Sequence, residues 1–177
     1  MLKSVHIKNF RSCKDVELEG LGHMVGLVGR NGAGKTTILR AIEWMARTAL
    51  RTKGFADAFR EVQVGEAFAD PGIAIDLEIG DYVYRYSYDH FLPTDEHGRD
   101  PASDSEVLYV VGAAGWAPLF ERDDDEVVLT GRENTIELNH SAAVMPALAS
   151  LLPEDDPLQE HLRRVMAVLR GIRYYLG

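Results

Sequence analysis

Hydrophobic and polar positions alternate along several short segments of the chain, and a period of two predicts β-strands. Residues 2–9 and 15–18 show this pattern near the N-terminus. The alternation is strict over residues 73–79 and again over residues 82–88, and the turn residues 80–81 (Gly-Asp) separate the two segments. These two segments therefore predict a β-hairpin.

The second strand of this hairpin carries a row of tyrosines on one face, at positions 82, 84, 86 and 88. Such a row can stack on nucleic-acid bases, but aromatic side chains on a strand more often pack against a neighbouring layer. We therefore favour a packing role, and base stacking stays open as the alternative.

The rest of the chain contains shorter segments of both kinds. Strands are predicted at 107–111, 118–121, 127–130 and 135–138, and helices at 146–152 and 157–169. Residues 51–72 have weak periodicity and predict mostly loop, and the polar, proline-containing residues 93–106 predict a flexible surface loop. The C-terminal residues 171–177 resemble the start of a further strand, with its edge near Tyr174–Leu176.

A continuous apolar run, Met24–Val28, has the composition of a strand buried on both faces of a sheet. It leads into a glycine-rich stretch that ends at Thr36. The next segment has helical spacing of apolar residues, so it predicts a helix with one face in the core. Those apolar residues are Ile38, Ala41, Ile42, Met45, Ala46 and Ala49.

The glycine-rich stretch matches the phosphate-binding pattern G-x-x-x-x-G-K-[ST] in full. Glycines allow such a loop to curl so that its backbone N–H groups point at phosphate oxygens, and the following helix adds its own free N–H groups. Lys35 would bring a positive charge to the β- and γ-phosphates, and the Thr36 hydroxyl would ligate Mg²⁺. The matching residues are Gly29, Arg30, Asn31, Gly32, Ala33, Gly34, Lys35 and Thr36.

Composition and charge narrow the classes of protein. The 177 residues are 46% hydrophobic, which suffices for a core, and the formal net charge of -9 argues against a generally basic nucleic-acid-binding surface. The single cysteine, Cys13, excludes an internal disulfide and is expected to be a partly buried small residue rather than a redox group. No signal peptide or membrane-length apolar run is recognisable, which predicts a cytoplasmic protein without a membrane partner.

Phosphoryl transfer also needs a carboxylate to orient water, which typically follows an apolar strand. No predicted strand ends in Asp or Asp-Glu, so the chain is expected to carry half of a catalytic site, with Asp76 and Glu78 as the first residues to test if it proves active. The acidic tip expected at residues 122–125 is a candidate cation site, although a solvated turn is the simpler interpretation.

The N-terminal 50 residues resemble a known family. The opening Leu2–Ser12 contains I-x-N-F-R-S and is followed about twenty residues later by N-G-x-G-K-T-T. This combination resembles the ABC-type ATPase heads of the SMC, RecF and OLD group, which are often called AAA family ATPases. The implied fold is α/β: the N-terminal lobe of a P-loop NTPase, with a mixed sheet, antiparallel β-hairpins and a P-loop helix.

The resemblance implies a site and partners. Arg11 and Ser12 match family positions near the bound nucleotide, and Asn31–Thr37 match the loop that holds ATP with Mg²⁺; for Arg11, an ordinary surface arginine is the alternative. Heads of this group sandwich ATP between two copies, which implies a homodimer, and some act on DNA or recruit a nuclease or another effector. The serine-glycine-glycine signature, the Asp-Glu strand end and a clear glutamine loop are missing, and the only glutamines are Gln63 and Gln159.

Residues 1–177 are therefore expected to be the N-terminal lobe of an ATPase domain without its C-terminal lobe. The leading functional hypothesis is an ATP-binding lobe that acts in DNA repair or maintenance or in anti-phage defence. The alternative is a scaffold that senses nucleotide without hydrolysing it. A transporter ATPase subunit shares the loop but is disfavoured by the I-x-N-F-R-S opening and the hairpin insertion.

Overall fold

A computed structural model describes residues 1–50, 70–91, 103–112, 115–139 and 142–173. These residues form eight β-strands and three α-helices. The strands are β1 (Leu2–Phe10), β2 (Cys13–Leu18), β3 (Gly72–Ile79), β4 (Tyr82–Phe91), β5 (Ser103–Gly112), β6 (Gly115–Asp123), β7 (Glu126–Leu129) and β8 (Thr135–Glu137). The helices are α1 (Lys35–Leu50), α2 (Val144–Leu151) and α3 (Pro157–Gly171).

The strands belong to one sheet with the order β2-β1-β3-β4-β5-β6-β7-β8. Every neighbouring pair is antiparallel, from β1–β2 at one edge to β7–β8 at the other. The α/β class and the antiparallel hairpins are thus confirmed, including the β3–β4 hairpin. The expected mixed sheet is not found within the described ranges, since they contain no parallel pair.

One face of the sheet forms the core. The register aligns one apolar residue from each of six successive strands, and all six side chains are buried: Val5, Ile75, Tyr86, Leu108, Phe120 and Leu129. All three helices lie against this cluster, with α1 contacting β1 and β3 and α3 contacting β3. The opposite face carries residues such as Ser4, Asp76 and Arg85, which are polar.

The tyrosine row of β4 belongs to the core. Tyr84, Tyr86 and Tyr88 are fully buried. The Tyr84 hydroxyl lies 2.8 Å from His161 Nδ1. The Tyr86 hydroxyl donates to Glu106 Oε1 and the Tyr88 hydroxyl to Asp104 Oδ1, each at 2.7 Å. Packing, rather than base stacking, is therefore the role of these three residues.

The strand predicted at Met24–Val28 is wrong. The segment has no regular secondary structure, and Met24 and Val28 are 94% and 96% exposed. An apolar run of this kind becomes a buried strand only when neighbouring strands supply hydrogen bonds and cover both of its faces. None of the strands in the described ranges pairs with it.

Other predictions differ at their boundaries. The expected loop 93–106 falls outside the described residues up to position 102, but residues 103–106 already belong to β5. Most of the expected loop 51–72, and the strand edge expected at Tyr174–Leu176, also lie outside the described residues. The tip between β6 and β7 is shorter than predicted, because β6 continues to Asp123.

A buried ion pair lies where the sequence suggested solvated residues. Glu106 in β5 and Arg122 in β6 are both fully buried, with 3.9 Å between Glu106 Oε2 and Arg122 Nη1. Glu106 accepts hydrogen bonds from Tyr86 and, at 3.4 Å, from the backbone N–H of Val144 at the start of α2. Arg122 donates to the carbonyls of Asp124, Ala142 and Asn139. The pair therefore ties three strands to α2.

Candidate functional site

The glycine-rich loop turns tightly and leads into a helix. Gly32 and Gly34 have φ angles of 85° and 84°, in the left-handed region that glycine adopts without steric cost. The Ala33 N–H donates to the Arg30 carbonyl (3.1 Å), which closes a tight turn. Helix α1 begins at Lys35, and the Ile38 N–H donates to the Gly34 carbonyl at 3.0 Å. The loop therefore delivers the chain directly into the N-terminus of a 16-residue helix.

The Lys35 side chain curls back over the loop. Its ammonium donates hydrogen bonds to the carbonyl oxygens of Gly29 (2.7 Å) and Arg30 (2.8 Å). Both bonds are solvent-exposed, so they add little to the stability of the fold. These contacts hold the positive charge of Lys35 against the backbone of the loop.

The charges around the loop favour an anion despite the negative charge of the whole chain. Residues 29–40 contain Arg30, Lys35 and Arg40 and no Asp or Glu. The first turn of α1 also lacks an acidic residue, so no carboxylate competes for the positive end of the helix dipole. A glycine-rich loop, a helix N-terminus and a lysine are together the features that polyphosphate-binding sites use.

The turn between β1 and β2 lies next to this loop. Ser12 Oγ is 3.3 Å from Thr37 Oγ1 in the first turn of α1, and Arg11, beside it, has a left-handed φ of 52°. Cys13 is buried below the loop, and burial raises the pKa of its thiol. Arg11, Ser12 and the loop residues, which the sequence placed at one site, are therefore neighbours in the fold, and Cys13 has the packing role expected of it.

The two carboxylates singled out from the sequence lie on the opposite side of the sheet from α1. Asp76 accepts hydrogen bonds from Ser4 and from Arg85, whose Nε and Nη2 approach at 2.7 and 2.8 Å. Glu78 pairs with Lys3 at 3.3 Å. Both are therefore held in surface ion pairs on the polar face.

Gln159, the glutamine that the structure describes, has a structural role. Gln159 is buried, and its amide nitrogen donates to the carbonyls of Ala149 (3.0 Å) and Leu152 (2.9 Å), so it satisfies the C-terminal end of α2. Gln63 lies outside the described residues. Across the described ranges, no cluster of three or more His, Cys, Asp or Glu residues could hold a metal ion, and this includes the acidic tip before β7.

The buried pair Glu106–Arg122 was not predicted from the sequence. A signal for it exists in the period-two pattern, because Glu106 and Leu108 occupy alternate positions, as do Phe120 and Arg122. Extending the two predicted strands by one position each would have placed both charges in the core.

A glycine-rich loop with the phosphate-binding sequence pattern, at the start of a helix and beside an antiparallel sheet, is an arrangement typical of nucleotide-binding domains. The comparison with known families gives a narrower assignment than the geometry does. The model of the AAA ATPase domain family matches residues 1–105, which are more than half of the chain. The chain belongs to this AAA ATPase domain family. The resemblance to the ATPase heads of the SMC, RecF and OLD group is also confirmed.

Two curated relatives match over short segments. An OLD nuclease from Thermus scotoductus is 58% identical over 43 residues, which are 24% of this chain and 8% of that protein. An uncharacterized protein, MJECL10, from Methanocaldococcus jannaschii is 43% identical over 42 residues, again 24% of this chain but 19% of the relative. The matches thus span less than a fifth of either relative.

Among solved structures, the chain is similar to one from work on ATP-driven dimerization and DNA-stimulated activation of SMC ATPases. Identity is 18%, coverage is 96% of this chain and 98% of the other, and the TM-score is 0.31. At this score the similarity adds no weight to the assignment.

No helix among the described residues is long and apolar enough to cross a membrane.

Proposed function

We propose that the chain is the N-terminal lobe of a P-loop ATPase domain and binds ATP with Mg²⁺ through Gly29–Thr37. The observation that carries the proposal is the loop itself, in which left-handed Gly32 and Gly34 lead into α1 at Lys35. The match to the AAA ATPase domain family supports a nucleotide as the ligand.

The proposal assigns roles in nucleotide binding to the loop backbone, to Lys35 and to Thr36. The backbone N–H groups between Gly29 and Gly34 would surround the phosphates, with Asn31 and Ala33 contributing mainly through the main chain. Lys35 would exchange its contacts with two loop carbonyls for charge-assisted contacts with the β- and γ-phosphates. The Thr36 side chain is exposed and would offer its hydroxyl to Mg²⁺, the ion that neutralises charge between the phosphates.

The exposed segment before the loop supports the assignment to a lobe rather than to a complete domain. Met24, Val25 and Val28 are at least half exposed, an unusual state for three large apolar residues in one short stretch. We propose that further parts of the ATPase domain cover this apolar surface. Residues 1–177 would then supply the phosphate loop, and other parts of the domain would supply the remaining catalytic residues.

If other parts of the domain supply the remaining catalytic residues, the 177-residue chain should bind ATP but hydrolyse it negligibly. The expected rate is far below about 1 per second, the lower end of ordinary enzymatic turnover. The physical reason is that Asp76 and Glu78, the carboxylates that the sequence offers as candidate bases, are held in ion pairs on the polar face. A coupled assay of released phosphate measures the rate; ordinary turnover would contradict the prediction and make Asp76 and Glu78 the first residues to substitute.

We further propose that the protein acts on DNA, in repair or maintenance or in anti-phage defence, as a homodimer that sandwiches ATP between two heads. The match to an OLD nuclease supports this role and suggests a nuclease or another effector as a partner. The second candidate, a nucleotide-sensing scaffold, is favoured by the pairing of Asp76 and Glu78, which leaves neither of them as an evident base.

Sedimentation of the full-length protein distinguishes these two candidates. We expect a hydrolysis-blocked form to associate into dimers when ATP and Mg²⁺ are added and to dissociate without them, because each phosphate loop would face the other subunit. A strictly monomeric particle under both conditions would remove the dimer proposal and favour the scaffold.

A further inference from the structure

The β1–β2 turn contacts α1 and the phosphate loop through three residues in close succession. The ring of Phe10 meets the ring of Trp44 edge-on, with 5.8 Å between centroids. Ser12 Oγ lies 3.3 Å from Thr37 Oγ1. A Cβ added to Gly34 would lie 4.0 Å from the sulfur of Cys13, so the thiol packs directly under the loop.

The turn itself is held in an unusual shape. Phe10 pairs with Cys13, so only Arg11 and Ser12 form the connection, and both Asn9 and Arg11 have left-handed φ angles (49° and 52°). Residues other than glycine adopt this region at a cost and remain there only when their surroundings fix them. One such restraint is the side-chain amide of Asn9, which donates to the Asp70 carbonyl at 2.8 Å. The position of Ser12 is therefore set by the sheet.

We propose that Ser12 is a positioning residue for the phosphate loop: its hydroxyl fixes the side chain of Thr37, which then contacts a phosphate of the bound nucleotide. This inference rests on the proposed function, since it assigns a role within the same site. It adds a hydrogen-bonded link from the sheet to the loop, with Thr37 as the residue through which Ser12 acts.

The chemistry of threonine explains why such a link is needed. In a helix, a threonine side chain divides between two rotamers, because its hydroxyl can also bond to the carbonyl three or four residues earlier. A hydrogen bond from outside the helix selects one of these rotamers. A hydroxyl has one donor and two acceptor sites, and a phosphate oxygen only accepts. Thr37 would therefore accept the hydrogen bond from Ser12 and keep its own hydrogen for a phosphate oxygen.

The Ser12 side chain is exposed, and this separates a positioning role from a structural one. Removal of an exposed hydroxyl changes the stability of a fold little. An effect of Ser12→Ala on nucleotide binding would therefore come from the orientation of Thr37 and not from unfolding of the turn.

The test measures MgATP binding to the 177-residue chain by calorimetry, together with the melting temperature without nucleotide. We expect Ser12→Ala to weaken binding roughly 3- to 10-fold, the range of one neutral hydrogen bond, with an unchanged melting temperature. Ser12→Thr keeps the hydroxyl and should restore most of the affinity. Ser150→Ala is the matched control, because Ser150 is also exposed and its hydroxyl bonds to the Pro146 carbonyl within α2.

A double-mutant cycle tests whether Ser12 acts on nucleotide binding through Thr37. If Ser12 acts through Thr37, Ser12→Ala should have no further effect in a Thr37→Ala background. Independent effects of the two substitutions, wild-type affinity in Ser12→Ala, or a loss of affinity matched by a lower melting temperature would overturn the inference. Failure of the proposed function is distinguishable, because the wild-type chain would then show no saturable MgATP binding.

Discussion

Lys35→Ala should remove most of the protection that ATP gives the fold against heat. A ligand that binds only the native state stabilises it by about 2.7 kcal/mol at a concentration 100 times its dissociation constant. Loss of a charge-assisted phosphate contact costs about 1.5–3 kcal/mol of binding free energy, or roughly 10- to 150-fold in affinity. Thermal melts with and without MgATP measure both proteins at one nucleotide concentration.

The effect of Lys35→Ala on nucleotide binding can be separated from an effect on folding. The Lys35 ammonium bonds to exposed carbonyls within the loop, so the variant should melt near the wild-type temperature when no nucleotide is present. Lys8→Ala serves as the control, since Lys8 is an exposed lysine in β1 on the face away from the helices. Equal nucleotide-induced shifts in the wild-type and Lys35→Ala proteins would remove the assignment of the loop.

Arg122→Met should cost more folding stability than any of the other substitutions. The variant leaves the buried Glu106 carboxylate without its cation and removes the donor from three backbone carbonyls. Breaking one partner of a buried ion pair costs about 3–5 kcal/mol, a large fraction of the roughly 5–15 kcal/mol that typically stabilises a domain. Urea denaturation followed by circular dichroism measures the change.

Arg85→Met is the matched control for this substitution. Arg85 makes a two-pronged ion pair with Asp76, but its side chain is 44% exposed, so water already screens the pair. We expect a cost of about 1 kcal/mol or less. A cost for Arg122→Met that is no larger than that for Arg85→Met would show that the buried pair is not what ties β4, β5 and β6 to α2.

The penalty for Arg122→Met should also depend on pH. Burial raises the pKa of Glu106 from its ordinary 4.5 to about 7, against the lowering effects of Tyr86, Arg122 and the Val144 N–H. The native state therefore binds more protons than the unfolded state between these values, and stability falls as the pH rises through this window. Without Arg122 the pKa rises further, so the variant should lose less stability at about pH 5, where Glu106 is neutral, than at about pH 8. Equal losses at both values would contradict this account.

Local patterns in the sequence were sufficient to predict those parts of the fold that depend on neighbouring residues. The β3–β4 hairpin follows from strict alternation and a Gly-Asp turn, and α3 follows from its apolar stripe. The N-terminus of α3 is fixed locally too, because Asp156 accepts a hydrogen bond from the Leu158 N–H at 2.9 Å and Pro157 begins the helix.

Sequence-based prediction failed where the outcome depends on distant residues. Met24–Val28 has the composition of a buried strand, but strand formation needs partners, and the described strands pair elsewhere. Glu106 and Arg122 look like surface charges until β5 and β6 place them side by side on the inner face. Charge in a core is tolerated only as a pair, and pairing is a property of the register rather than of either segment.

The candidate site was predictable in its parts, because the phosphate-loop pattern specifies the glycines, the lysine and the following helix together. Its link to the β1–β2 turn was predictable only through the family resemblance, since Ser12 and Thr37 are 25 positions apart. The two left-handed residues of the turn, Asn9 and Arg11, had no sequence signal of the kind that glycine provides.

Binding of ATP at Gly29–Thr37 can be measured directly from the amide chemical shifts of the 177-residue chain during titration with MgATP. We expect saturable shifts that are largest at Gly32, Gly34 and Lys35, with smaller shifts at Ser12. Unchanged resonances at these residues, whether others move or none do, would contradict it.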